Sequence, residues 1–194
     1  MKKNLLILLI TIMSALNLNA QNYIYHGDNQ YESTSTWTFK LNGQYSTDVI
    51  ELTIAKHSNG GYLMLSIEVP TNGIELVGTV YVFLENGSII KCTDKNIKDY
   101  VDNKAIALYN YTMDEIEKLK ESHISKIRFS MNTSESFTAD NENQVSMKES
   151  LEKINELSKK NSLSTIESIQ FKACKSYLDY AYTPNAIKDL FNVE

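Results

Sequence analysis

Two runs of alternating apolar residues face each other across a short turn, and they constrain the fold of this chain more than any other feature. Ile50, Leu52 and Ile54 alternate with Glu51, Thr53 and Ala55. Ser58-Asn59-Gly60-Gly61 follows, and Leu63, Leu65, Ile67 and Val69 alternate on the return. A period of two places one set of side chains on one face of a strand. Asn-Gly chemistry supplies the backbone freedom of a tight hairpin turn. Antiparallel sheet is therefore expected here.

The neighbouring segments extend that sheet. Pro70-Thr71-Asn72-Gly73 is a second turn signal, and the β-branched and aromatic run 77–84 returns through 88–92 after Glu85-Asn86-Gly87. Residues 34–41 and 105–111 are rich in strand formers. Residues 21–33 read as a polar, tyrosine-bearing leader arm that contributes an edge strand. The charged stretch 94–103 reads as a connection, and the polar stretch 132–143 as a loop. Between 111 and 124 the period changes. Thr112 and Glu115 form a T-x-x-E capping box, and Met113, Ile116 and Leu119 share one helical face. Ile127, Phe129 and Met131 then restore the strand period.

The last third has helical spacing. Met147, Leu151, Ile154 and Leu157 lie on one face, and Ile166, Ile169, Ala173, Tyr177 and Ala181 on another. Ile169, Phe171 and Ala173 also alternate, so 167–174 is open to a helix or a strand. Pro184 suits the first turn of a final short helix. The expectation is one α+β domain. Its antiparallel, hairpin-rich sheet fills the first two-thirds and packs with a short central helix and carboxyl-terminal helices. Its parts are an arm at 21–33, a sheet-rich part at 34–131 and a helical part at 144–192.

The amino terminus carries an export pattern. Lys2 and Lys3 precede an apolar run over 5–16, and 17–20 turn polar and end on Ala20. Charge, apolar core and small-residue exit describe a signal peptide, and the run is shorter than the ~20 residues a spanning helix needs. A periplasmic or secreted domain beginning at Gln21 is expected, with no stable membrane insertion after cleavage. Loss of two lysines leaves seventeen basic residues against twenty-four acids. Arg128 is the sole arginine and no lysine stripe exists, which disfavours nucleic acid and anionic lipid as partners. Cys92 and Cys174 would meet an oxidising compartment, either as one disulfide or as two free thiols.

Motifs for common chemistries are missing. His26, His57 and His123 are far apart and form no H-x-x-x-H or C-x-x-C ligand set. There is no G-x-S-x-G elbow and no phosphate-binding glycine loop, so neither a metal, a cofactor nor a catalytic residue is expected. Arg128, opposite Ile127 and Phe129 on its strand, has two readings. It could clamp a carboxylate or sulfate, or form the commoner cross-strand ion pair, which is preferred. Tyr23, Tyr25 and Tyr31 cluster in the arm as an interaction surface. Tyr177, Tyr180 and Tyr182 suit helix packing, and Trp37 is expected in the core more than as a stacking platform.

Two segments carry a resemblance. The leader ending in Ala20-Gln21, and A-I-A-L-Y-N-Y-T-M-D-E-I-E-K-L-K-E-S-H-I-S-K-I-R-F over 105–129, resemble small exported proteins of the Bacteroidota. The resemblance covers about an eighth of the chain. It implies compartment and a strand, capped helix and I-x-x-I-R strand, and no activity. The functional expectation is a non-enzymatic module that binds a protein or peptide. The alternatives are a glycan-binding module or diverged hydrolase, and a secreted inhibitor or immunity-type protein.

Overall fold

A computed structural model describes residues 22–42, 49–133, 135–160 and 162–192. The export segment and its cleavage point at Ala20-Gln21 lie outside the described residues. The strands are β1 (Asn22–His26), β2 (Asn29–Ser33), β3 (Trp37–Leu41), β4 (Val49–His57), β5 (Gly60–Glu68), β6 (Leu76–Leu84), β7 (Ile89–Val101), β8 (Lys104–Tyr111), β9 (Ile124–Met131) and β10 (Ser136–Asn141). Helix α1 (Met113–Glu121) links β8 to β9, and α2 (Asn143–Ser158), α3 (Thr165–Ala181) and α4 (Thr183–Phe191) follow β10.

Eight strands close on themselves. Around the ring the order is β3, β4, β5, β8, β7, β6, β9, β10 and back to β3, every pairing antiparallel. The expected α+β sheet packed on a central helix is therefore wrong: among the described residues the chain builds a closed β-barrel with two added strands and four helices. The overturning element is β10, in the stretch read as a loop. It pairs with β9 through Ala139–Ile127 and with β3 through Ala139–Leu41. Its lumen positions hold Ala139 and Asn141, both buried. Small and polar inward residues leave no apolar period to read, yet they fit where the ring closes.

The stretch 94–103 is likewise no connection. It continues β7 past a bulge between Asp94 and Ile97 and turns into β8 at Asp102 and Asn103, both at positive φ. One side chain supports two irregularities. The Asp94 carboxylate accepts the Asn96 N–H at 2.7 Å and the Gly78 N–H at 3.2 Å, beside the register shift in β6.

An eight-stranded barrel has a lumen about wide enough for side chains to fill, and here they fill it. Trp37, Phe39, Leu52, Leu65, Tyr109 and Phe129 are buried together with Val80, Val82 and Ile127. One end is closed by α1 and α4, whose Ile116, Leu119, Ile187 and Leu190 join the same core. Gly61 permits this approach. A Cβ there would stand 3.0 Å from the Ile116 side chain and 3.1 Å from Phe191. The capping box of α1 forms as expected, with the Thr112 N–H donating to Glu115 at 2.8 Å and the Glu115 N–H to the Thr112 hydroxyl at 3.3 Å. Residues 167–174 are helical. A second capping box, Ser164 with Glu167, starts α3.

The leader arm is a complete hairpin rather than one edge strand. β1 pairs with β2 from Asn22–Ser33 to His26–Asn29, and β2 reaches β4 through Ser33–Ala55. Where the chain passes from β2 into β3, the Thr34 hydroxyl accepts the Ile54 N–H at 3.1 Å and replaces a ladder bond. The hairpin covers the outer face of the barrel over β4, β5 and β8. Ile24, Ala55 and Leu108 form a second small core there, with Tyr31, Tyr62, Met64 and Ile97 packed around it.

Candidate functional site

With the lumen filled, the surfaces available to a ligand are the end strand β1, the outer barrel wall and the open barrel mouth. The arm tyrosines divide between them. Tyr31 turns inward, edge-on to Tyr62 with ring centroids 5.1 Å apart. Tyr23 and Tyr25 point outward at 39% and 72% exposure. β1 is the terminal strand of the sheet among the described residues, since the opposite terminus, β5, closes onto β4. The two-residue turn at Gly27 and Asp28 makes His26–Asn29 the closing hydrogen-bonded pair. Alternation then directs the main-chain groups of Tyr25 away from β2.

Arg128 lies on the far wall, over β6, β9 and β10. Its cross-strand neighbours are Tyr81 on β6 and Thr138 on β10. The preferred ion pair does not form among the described residues. Among the described residues neither Arg128 nor Lys91, which sits opposite Tyr81 on β7, has an acidic partner. The acid on this wall, Asp140, is held by Lys126 at 3.3 Å and by Asn42 at 2.7 Å. A groove of about 600 Å³ runs past Arg128 between Tyr81, Phe83 and Ile89 on one side and Ser130 and Ser136 on the other.

The barrel mouth away from α1 and α4 holds a smaller cleft, about 300 Å³, lined by Leu41, Ile67, Val69, Ile74 and Met131, with Glu68 and Glu135 among its polar lining.

Cys92 and Cys174 are not joined; both are free thiols. Cys92 faces the lumen from β7, and Cys174 lies half-buried on α3, outside the barrel. Burial pushes the Cys92 thiol up to about 12, so it is protonated and inert as a nucleophile at neutral pH. It lies against the Tyr111 hydroxyl, which is itself raised by burial and by this neighbour. A thiol is a weak partner, and the Tyr109 and Tyr111 hydroxyls and Trp37 Nε1 are buried without a hydrogen bond. Trp37, 1% exposed, is unreachable as a stacking platform.

The histidines do not assemble. No cluster of three or more metal-ligating side chains occurs among the described residues. His57 packs on Tyr62 at 4.5 Å, and its Nδ1 accepts the Asn59 N–H. His123 is fully buried between the barrel and the last helix. Its Nδ1 meets the Thr183 N–H at 3.2 Å and hydroxyl at 3.1 Å, and its Nε2 meets the Asn141 amide at 3.2 Å. Tyr182 stacks on it at 5.5 Å. Burial lowers His123 from its ordinary 6.5 to about 4. The residue therefore stays neutral and latches β10 to the start of α4. No spacing rule announces this trio, since its members are scattered across the chain. The Tyr180 side chain lies outside what the structure describes.

No helix among the described residues is long and apolar enough to cross a membrane. Compared with family models, with curated proteins and with solved structures, the chain matches none.

Proposed function

We propose that this chain is an exported, non-enzymatic binding module that captures an extended segment of a partner protein by adding it to β1. The carrying observation is that β1 terminates an otherwise closed sheet while presenting Tyr25 on its outer face. Among the described residues each of the eight ring strands has a neighbouring strand on both sides, whereas β1 has one on a single side along its whole length. A strand added to an edge gains affinity from backbone hydrogen bonds and specificity from alternate side chains. Tyr23 and Tyr25 are spaced two apart, as such a readout requires. The export pattern over 1–20 supports a partner outside the cytoplasm.

The test uses a displayed library of unstructured peptides selected on the mature protein and counter-screened on Tyr25→Pro. Proline removes an outward N–H but is tolerated on edge strands. Peptides that bind the wild type and lose the variant, with amide shifts confined to β1, support the proposal. Peptides that bind both equally, or no selected peptide at all, contradict it. Amino-terminal sequencing of the protein recovered from its native host checks the export step. A mature start at Gln21 is expected, and an intact Met1 start in the cytosol would refute export.

A further inference from the structure

The wall around Arg128 carries a second site. Its outward residues form a grid across four strands. One row is Lys91, Tyr81, Arg128 and Thr138, on β7, β6, β9 and β10 in turn. Beside it runs Ile89, Phe83, Lys126 and Asp140. Ser130 and Ser136 pair on the other side, their hydroxyls 2.9 Å apart, with Thr79 completing the groove. Three cations and one acid stand on this face of a chain that carries an excess of acids overall. The one acid is already engaged twice, by Lys126 and Asn42. Arg128, the sole arginine, has no acidic partner among the described residues.

We propose that this wall binds the carboxylate or sulfate groups of an acidic polysaccharide. The guanidinium is permanently charged and presents paired donors that match a planar carboxylate or the edge of a sulfate. Lys91, at the other side of Tyr81, supplies a second charge for the next acidic group along a chain. The Tyr81, Ser130, Ser136 and Thr79 hydroxyls can each donate and accept, as sugar hydroxyls require. The Tyr81 and Phe83 side chains supply half-buried aromatic surface beside them. A sugar chain suits this wall better than a peptide. β6 and β9 are hydrogen-bonded on both sides, so their backbones offer an incoming strand nothing, and recognition falls to side chains alone. The bulges of β6 and β7 that border the site share the Asp94 carboxylate, and bulges of this kind re-aim side chains at functional surfaces. The site lies across the ring from the β1–β2 hairpin and is independent of strand addition there.

The experiment is calorimetric titration of the mature protein with size-defined oligogalacturonates and with heparin-derived oligosaccharides. Neutral dextran oligomers and oligoglutamate serve as comparisons. One or both acidic sugars are expected to bind, more weakly as salt is added, while dextran and oligoglutamate do not. Arg128→Gln should weaken that binding at least about tenfold, the scale of losing a charge-assisted bidentate contact. Arg128→Lys should recover only part of it, because an ammonium keeps charge without the fork. Both variants should melt with the wild type, since the side chain is exposed and forms no ion pair among the described residues. The uronate and sulfate arms show which oxyanion is preferred. Absence of binding by both acidic sugars, equal binding of dextran, equal or better binding of oligoglutamate, or full affinity in Arg128→Gln would each overturn the proposal. Tyr25→Pro, which tests the strand-addition site, should leave this titration unchanged.

Discussion

Two outer walls of the same barrel have been put to opposite uses. Over β4, β5 and β8 the outward residues Ala55, Tyr62, Met64 and Leu108 are sealed by the β1–β2 hairpin under Ile24 and Tyr31, and beyond the hairpin Glu51 on the same wall is bonded to Ser66 and Lys104. Over β6, β9 and β10 the outward residues are Thr79, Tyr81, Arg128, Ser130 and Ser136, and nothing in the described chain covers them. Lumen packing is continuous behind both. The lumen makes the fold, and the outward half of each strand's alternation decides whether a wall is buried or left for ligand. The two walls are also secured differently. A small apolar core holds the covered one, while the bare one ends at the buried polar latch of His123, Asn141 and Thr183.

Adjacent positions on β9 give the sharpest way to break that contrast. Phe129 is fully buried in the lumen and Arg128 is exposed beside it. Phe129→Ala should cost about 3–5 kcal/mol in urea unfolding, the range for an aromatic truncated in a packed core. The latch should yield to acid. His123 titrates near 4 in the folded chain against 6.5 when exposed, so the unfolded state takes up the proton first. Its contribution is complete above about pH 6.5 and is lost as pH falls toward about 4, at up to about 1.4 kcal/mol per unit. Hydrogen exchange at pH 7 and pH 4.5 should show β10 and the start of α4 loosening before β1 and β2. Loss in the reverse order would sink the latch. Ile24→Ala, beneath the cover, should cost about 2 kcal/mol, at the low end for an apolar truncation because its core is small. It should also speed exchange in β1 and β2 without affecting β9. Smallest of all, Arg128→Gln should stay within about 0.5 kcal/mol of wild type, and a larger loss would mean a structural role for that side chain.

Legibility in the sequence followed the contrast between strong and weak patterning. The β4–β5 hairpin, β6, β9 and α1 follow from period and capping, because each turns apolar residues toward a core or carries its own start signal, whereas α3 was open to a strand over 167–174 and leaves Ile166 and Ile169 of its expected apolar face exposed. β10 was not legible. Ser136, Thr138 and Asp140 face out, and only Phe137, Ala139 and Asn141 face the barrel side, a set with one large apolar residue. Missing it left an open sheet where the chain has a ring. Strand closure is a tertiary property, and a small inward residue is selected by the space left between β3 and β9 rather than by its own propensity. Arg128 was legible as exposed on its strand, but its lack of an acidic partner was not, because Asp140 had to be seen committed to Lys126. The division of the arm tyrosines depended on Tyr62, a residue thirty-one positions away that receives Tyr31.

Ring closure underlies both walls, the filled lumen and the two binding surfaces, and nuclear Overhauser contacts across β10 test it most directly. The barrel requires cross-strand contacts from Ala139 to Ile127 on β9 and also from Ala139 to Leu41 and Asn141 to Phe39 on β3. Slow amide exchange in β3 should accompany them. Contacts from β10 to β9 alone, with β3 exchanging as a free edge, would mean that the sheet is open and the account of its two walls is wrong.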